Sequence, residues 1–183
     1  INYVFPLHNT ASNKSVLSFI KRNSESKIIS IFSNECQKLI KDKDNPWLLG
    51  YFTDNEMPWR MNLFDKFLNL NENEAGRKAT EAWLVKNKIN KGKITDADRS
   101  AFLEYAADYY FRVTTSAIRA VDPNHMILGA RFHSAAYNFP AVFTAAGRYC
   151  DIISVNYYWA WTPSNTLMDM WLKHAQKPFI ITE

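Results

Sequence analysis

At 183 residues the chain has the size of one domain, and 47% hydrophobic residues, 15% of the chain being aromatic, are ample for a buried core. A formal charge of +4, with lysines scattered around 38–43 and 86–93, reads as solvated helix ends and argues against a nucleic-acid stripe. No apolar run is long enough to span a membrane, and no signal peptide is visible behind Ile1.

The first 25 residues remain unassigned, apart from a possible short strand over 3–7 and a possible helix over 14–22; His8 reads as an ordinary loop histidine. Over 27–41, Ile28, Ile31, Phe32, Cys36, Leu39 and Ile40 recur at helical spacing, so a helix with one buried face is expected. Asp44-Asn45-Pro46 then turns the chain into an apolar run, Trp47 to Phe52, which breaks into Thr53-Asp54-Asn55-Glu56 and is closed by Pro58. That run has the composition of a buried parallel strand, and Pro58, which cannot donate to a ladder, stops it at or before Glu56. Polar residues therefore stand at the C-terminal mouth of a buried strand, where α/β folds build their sites.

After a long excursion over 60–94, with a helix over 73–88, Thr95-Asp96-Ala97-Asp98 has the spacing of a capping box and opens a helix running to Val121, ended by Asp122-Pro123. Residues 125–133 form the next strand, and a shorter helix follows over 140–148. Residues 151–159 form a further strand and 165–176 a further helix. The last strand, 179–183, delivers Glu183 at its C-terminal end. The β-α-β-α-β-α-β order predicts an α/β domain with a parallel sheet. The open, nucleotide-binding version lacks its signature here: no G-x-G-x-x-G or P-loop exists, and the chain has only five glycines. Two strand-end glutamates instead suggest the carboxylate pair of glycoside hydrolysis.

The histidines are dispersed and no H-E-x-x-H or G-x-S-x-G motif occurs, so neither a metal nor a serine nucleophile is expected, and no cofactor. Cys36 and Cys150 read as two buried thiols.

Gly50-Tyr51-Phe52-Thr53-Asp54-Asn55-Glu56 together with Ile181-Thr182-Glu183 resembles the clan of retaining glycoside hydrolases built on (β/α)8 TIM barrels, in which an Asn-Glu pair ends the fourth strand and a lone Glu the seventh. Within it, residues 45–183 look most like the family 50 β-agarases. Two strands between the glutamates, ending near Phe132 and Tyr157, agree with that count. A barrel normally needs about 250 residues, so the chain would represent only part of one, about strands four to seven, in a single catalytic domain.

The resemblance implies a retaining hydrolase of β-linked galactan acting by double displacement, Glu56 as acid and base and Glu183 as nucleophile. It implies that Asn55 hydrogen-bonds the sugar 2-hydroxyl and Tyr157 orients Glu183. Arg131 and His133 would bind hydroxyls or tune the nucleophile, Asn156 would lie in the substrate site, and Trp59, Trp159 and Trp161 would offer stacking faces. Asp54 reads as a structural carboxylate, and Trp47 and Trp83 as packing. The implied partner is a polysaccharide or oligosaccharide, and the implied location is secreted or periplasmic. A β-galactosidase or β-glucanase on the same barrel, or a carbohydrate-binding barrel without catalysis, are the competing readings.

Overall fold

A computed structural model describes residues 3–4 and 25–183. The helix expected over 14–22 and His8 lie outside the described residues, as does most of the 3–7 strand; its described part, Tyr3–Val4, is β1. Then follow α1 (Glu25–Cys36), β2 (Gly50–Phe52), α2 (Leu63–Leu68), α3 (Ala75–Lys86), α4 (Asp96–Val121), β3 (Met126–Ile127), α5 (Pro140–Gly147), β4 (Ile153–Val155), α6 (Asn165–Ala175) and β5 (Phe179–Ile181).

All strand pairs among the described residues are parallel. β1 pairs with β2 in the register Tyr3↔Tyr51, β2 with β3 through Tyr51↔Ile127, and β4 with β5 through Ser154↔Ile180. A parallel bridge from Phe132 to Val155 joins the two groups, so spatial order follows chain order from β1 to β5. Gly50 is required at the β2–β3 seam, because a Cβ there would collide with the carbonyl oxygen of Met126. α4 packs against α1, α2 and α5, and α5 against α6, so the helices form one layer over the sheet. Their contacts are largely aromatic. Phe102 meets Phe64 and Trp83 with ring centroids 5.2 Å apart, and Trp171 stacks on Phe143 at 5.8 Å. Such pairs add about 0.5–1.5 kcal/mol each beyond burial.

α4 begins where its capping box predicts: Asp98 N donates to Thr95 Oγ1, and Thr95 N to the Asp98 carboxylate. Both cysteines are free and buried, and burial pushes the Cys36 thiol up to about 12.

Three expectations need correction. The helix expected over 27–41 tightens into a 3-10 turn at Gln37–Asp42. At three residues per turn Leu39 stays beneath Cys36, while Ile40 swings out to 47% exposure. Trp47 is not packed: an Asx turn, in which Trp47 N donates to Asn45 Oδ1, ejects it to 86% exposure, and the ladder starts only at Gly50. The strand expected over 125–133 is split. Leu128 N still donates to Tyr51 O, but the left-handed backbone at Gly129 (φ 81°) and Arg131 (φ 47°) then turns the chain from β2 towards β4, where Phe132 N meets Ser154 O at 2.9 Å. α2 had no cap or regular period to announce it.

At the N-terminal end of β3 the buried Asp122 carboxylate accepts from Tyr51 Oη at 2.7 Å and pairs with His125 Nδ1 at 2.6 Å; His125 Nε2 donates to Asn45 O at 2.9 Å. Both ring nitrogens face acceptors, the pattern of an imidazolium. Burial opposes the charge on each group, but the hydrogen bonds outweigh it, holding Asp122 below and His125 above their ordinary values.

The depressed carboxylate stabilises the fold above about pH 3.9 and loses this as pH falls; the raised imidazole stabilises it below about pH 6.5 and loses this as pH rises through its folded value. Stability should therefore be greatest from this corner between about pH 4 and 6.5. Asp122→Asn should cost about 1–3 kcal/mol in urea titrations at pH 5.5 and less at pH 8.

Candidate active site

Beyond β2 the chain descends into a buried turn. Thr53 N donates to Gly129 O at 2.8 Å, and the buried Asp54 takes Asn55 N on Oδ1 at 2.7 Å, which makes Asp54 the structural carboxylate it was expected to be. Glu56 follows with φ 54°, a left-handed conformation costly for a residue with a side chain, and its N–H donates to Arg131 O at 3.3 Å. Two strained strand ends thus hold each other.

The carboxylate of Glu56 accepts from Asn156 Nδ2 at 2.9 Å and meets Tyr158 Oη at 3.1 Å through the same Oε1; Oε2 lies 3.7 Å from His133 Nδ1. Glu183, just past β5, pairs through Oε1 with Arg131 Nη2 and through Oε2 with Tyr158 Oη. One hydroxyl therefore touches both carboxylates. Two oxygens on a common hydroxyl lie within about 6 Å of each other, the sum of two hydrogen bonds. The two glutamates, their proximity to Tyr158 and the loss of bulk water around its hydroxyl hold the Tyr158 pKa well above that of a free phenol, with Glu183 the strongest influence.

The supporting groups are more buried than the carboxylates. Arg131 is only 8% exposed; its guanidinium lies 5.2 Å from the Phe52 ring centroid and its backbone N–H is held by Ser154 Oγ at 2.9 Å. Asn156 is fully buried, its Oδ1 accepting from Thr182 Oγ1 at 2.6 Å. The neighbour of Glu183 thus braces the residue that holds Glu56.

Glu56, Glu183, Arg131, His133 and Asn156 come together, and Asn55 stands beside them with its Oδ1 turned inward. Asn156, being buried, orients Glu56 and has no face for a ligand. Trp59 is a correction: it is fully buried, 5.7 Å from the Tyr110 ring and stacked on Phe111, so it is core and no platform. Tyr157 is another. Its ring packs against Tyr137 at 5.6 Å, and only its backbone N–H reaches Glu183, at the carbonyl oxygen. The hydroxyl on the carboxylates belongs to Tyr158, whose edge meets the His133 ring at 5.3 Å. The Tyr157-Tyr158 doublet signalled a tyrosine here, but a difference of one register position chose between them. Trp159 and Trp161 are 72% and 102% exposed in the segment after β4, on the side of the glutamates in the chain order.

The two classes of tryptophan should separate in denaturation. Trp59→Ala should cost about 3–5 kcal/mol and Trp161→Ala less than about 0.5 kcal/mol, read from urea midpoints at constant slope.

No protein-family model matches the chain. Beta-agarase B of Vibrio sp. (strain JT0107) is 28% identical over 153 residues, a match covering 64% of this chain and 16% of that protein. The crystal structure of BpGH50 is similar with a TM-score of 0.72 and 30% identity, covering 87% of this chain and 39% of that one. The structure of the agarase AgWH50C is similar with a TM-score of 0.71 and 25% identity, covering 84% of this chain and 26% of that one. The chain thus spans well under half the length of these relatives, and over that span it shares their fold.

Proposed function

We propose that the chain is the catalytic part of a glycoside hydrolase that cleaves agar-type β-linked galactan by double displacement, with Glu56 as acid and base and Glu183 as nucleophile. The observation that carries this reading is the meeting of two strand-end carboxylates on one hydroxyl. Their separation, bounded near 6 Å, favours the retaining spacing of about 5–5.5 Å over the 6.5–9.5 Å that leaves room for water in inverting enzymes. The agarases among the similar proteins support the substrate class. Parallel strands whose spatial order follows chain order, with glutamates after β2 and β5, support a (β/α)8 barrel in which β2 to β5 are strands four to seven and β1 is the third. Action on such a polysaccharide implies a secreted or periplasmic protein.

In the first step a carboxylate oxygen of Glu183 bonds to the anomeric carbon while the proton on Glu56 passes to the departing glycosidic oxygen. In the second, Glu56 takes a proton from water, whose oxygen displaces Glu183 from the anomeric carbon. Arg131 pairs with Glu183 and holds its carboxylate in place, and Asn156, braced by Thr182, keeps Glu56 aimed. Trp159 and Trp161 present bare ring faces for sugar stacking, and His133 is within reach of hydroxyls near Glu56.

On agarose oligosaccharides the first-formed reducing end, followed by NMR, should keep the β configuration; an α product would refute double displacement. Glu183→Gln should abolish turnover while leaving oligosaccharide binding. Glu56→Gln should lower kcat by about 10²–10⁴-fold, less for substrates with an acidic leaving group. Turnover of other β-glycans with none on agarose would keep the catalytic pair and remove the galactan assignment.

A further inference from the structure

At the end of the sheet away from the glutamates, a cavity of about 450 Å³ opens where α5 and α6 finish and β5 has yet to begin. Lys177 on its wall and Glu183 stand at opposite ends of one strand, six residue steps or about 20 Å apart at about 3.3 Å per step. The two helices approach closely here, since a Cβ on Gly147 would collide with the carbonyl oxygen of Ala175. Around that crossing the walls are polar, with Thr144, Arg148, His174, Gln176 and Lys177 lining the opening.

Arg148 is already committed: Nη1 donates to Asp108 at 2.7 Å and Nη2 to Glu104. Asp151 is committed as well, to Arg119 and to the N–H of Ile127 at 2.7 Å. Among the described residues no carboxylate pairs with Lys177 or His174. His174 turns Nδ1 to the Thr144 hydroxyl at 3.3 Å, which leaves Nε2 uncommitted. Basic residues in the last turn of a helix suit its dipole, and that accounts for Lys173 and His174. It accounts neither for Lys177, two residues past the helix, nor for Gln176. Gln176 ends α6 at φ 52° and ψ 36°, a left-handed cap in which glycine is unstrained and a longer residue is not. A glutamine kept there sets an amide on the cavity wall against backbone strain, and strain of this kind collects at ligand sites.

We propose that this cavity is a second binding site, for a sugar that carries a tetrahedral oxyanion as a sulfate or phosphate ester. Lys177 supplies a compact cation with three donors, and His174, Gln176 and Thr144 supply hydrogen bonds around it. The one guanidinium on the wall is spent on Glu104 and Asp108, so a planar carboxylate finds no bidentate fork. The volume decides against a bare ion: sites for whole small molecules run from about 300 to 1,000 Å³, which leaves room for the sugar ring. The site stands apart from catalysis, since it needs neither glutamate.

The test is calorimetric titration of the protein with galactose 6-sulfate, galactose 6-phosphate, galactose and inorganic sulfate. The esters should bind, and Lys177→Gln should weaken them by about tenfold or more while leaving hydrolysis unchanged. Gln176→Gly should raise the urea midpoint by relieving the cap, yet still weaken the esters by about three- to tenfold, so that lost binding cannot be lost folding. Galactose and inorganic sulfate should each bind about tenfold more weakly than the esters. A sulfated galactan oligosaccharide that displaces galactose 6-sulfate makes the ligand a polymer chain. Exclusion of that oligosaccharide with entry of galactose 6-phosphate makes it a free sugar ester, and either result supports the site. Inorganic sulfate binding as tightly as the esters, or ester binding that neither variant weakens, overturns the proposal. Ester binding that follows this pattern in a protein inactive on agarose would count against the proposed function alone.

Discussion

The buried guanidinium of Arg131 is the charge around which the site is arranged. At 8% exposure it has almost no water, so it needs a carboxylate, and Glu183 supplies it across the strand ends. Leaving such a group without its partner typically costs 3–5 kcal/mol. The Phe52 ring under it and the Ser154 hydroxyl on its backbone fix it from below. The same residue, left-handed at φ 47°, offers its carbonyl to Glu56 N–H, so one position sets both glutamates.

That arrangement depends on breaking the ladder at a chosen place. β2 and β3 run together until Leu128, and the chain then leaves β2 for β4 through two residues with positive φ. Had the strand continued regularly, Arg131 would have alternated with the ladder and pointed by pleat alone. Backbone strain at Glu56 and Arg131 is stored against the helix layer, whose aromatic contacts hold the sheet from the other side. The opposite end, closed by Asp122, His125 and Tyr51, has no comparable strain: every polar atom there meets a partner, in keeping with an end that stabilises.

Much of this was legible beforehand because it depends on local chemistry. The capping box at Thr95 and Asp98, the closing turn at Asp122-Pro123 and the polar break at Asp54-Asn55-Glu56 are decided by residues close in sequence. Trp59 and Tyr157 were misplaced for a different reason. A tryptophan three residues after a strand-end glutamate can turn to either side of the sheet, and the vacancy between Tyr110 and Phe111 that takes it is made by α4. In a tyrosine doublet the choice of Tyr158 follows from where β4 ends, which is set by pairing with β5. The 3-10 turn that exposes Ile40 changes the period without changing the pattern of residues, so periodicity alone could not register it.

The chemistry is written in the residues one after another: two glutamates at the ends of apolar strands, an asparagine and an arginine at matching ends, and helices long enough to cross between parallel strands. Residue type, apolar period and turn signals are local properties, readable one segment at a time. It takes the folded chain to make the glutamates share a hydroxyl, to face Asn156 inward to hold one of them, and to bring Arg131 to the other. Those contacts join residues up to 102 positions apart, and their geometry is set by strand order, register and left-handed corners, which no segment carries alone.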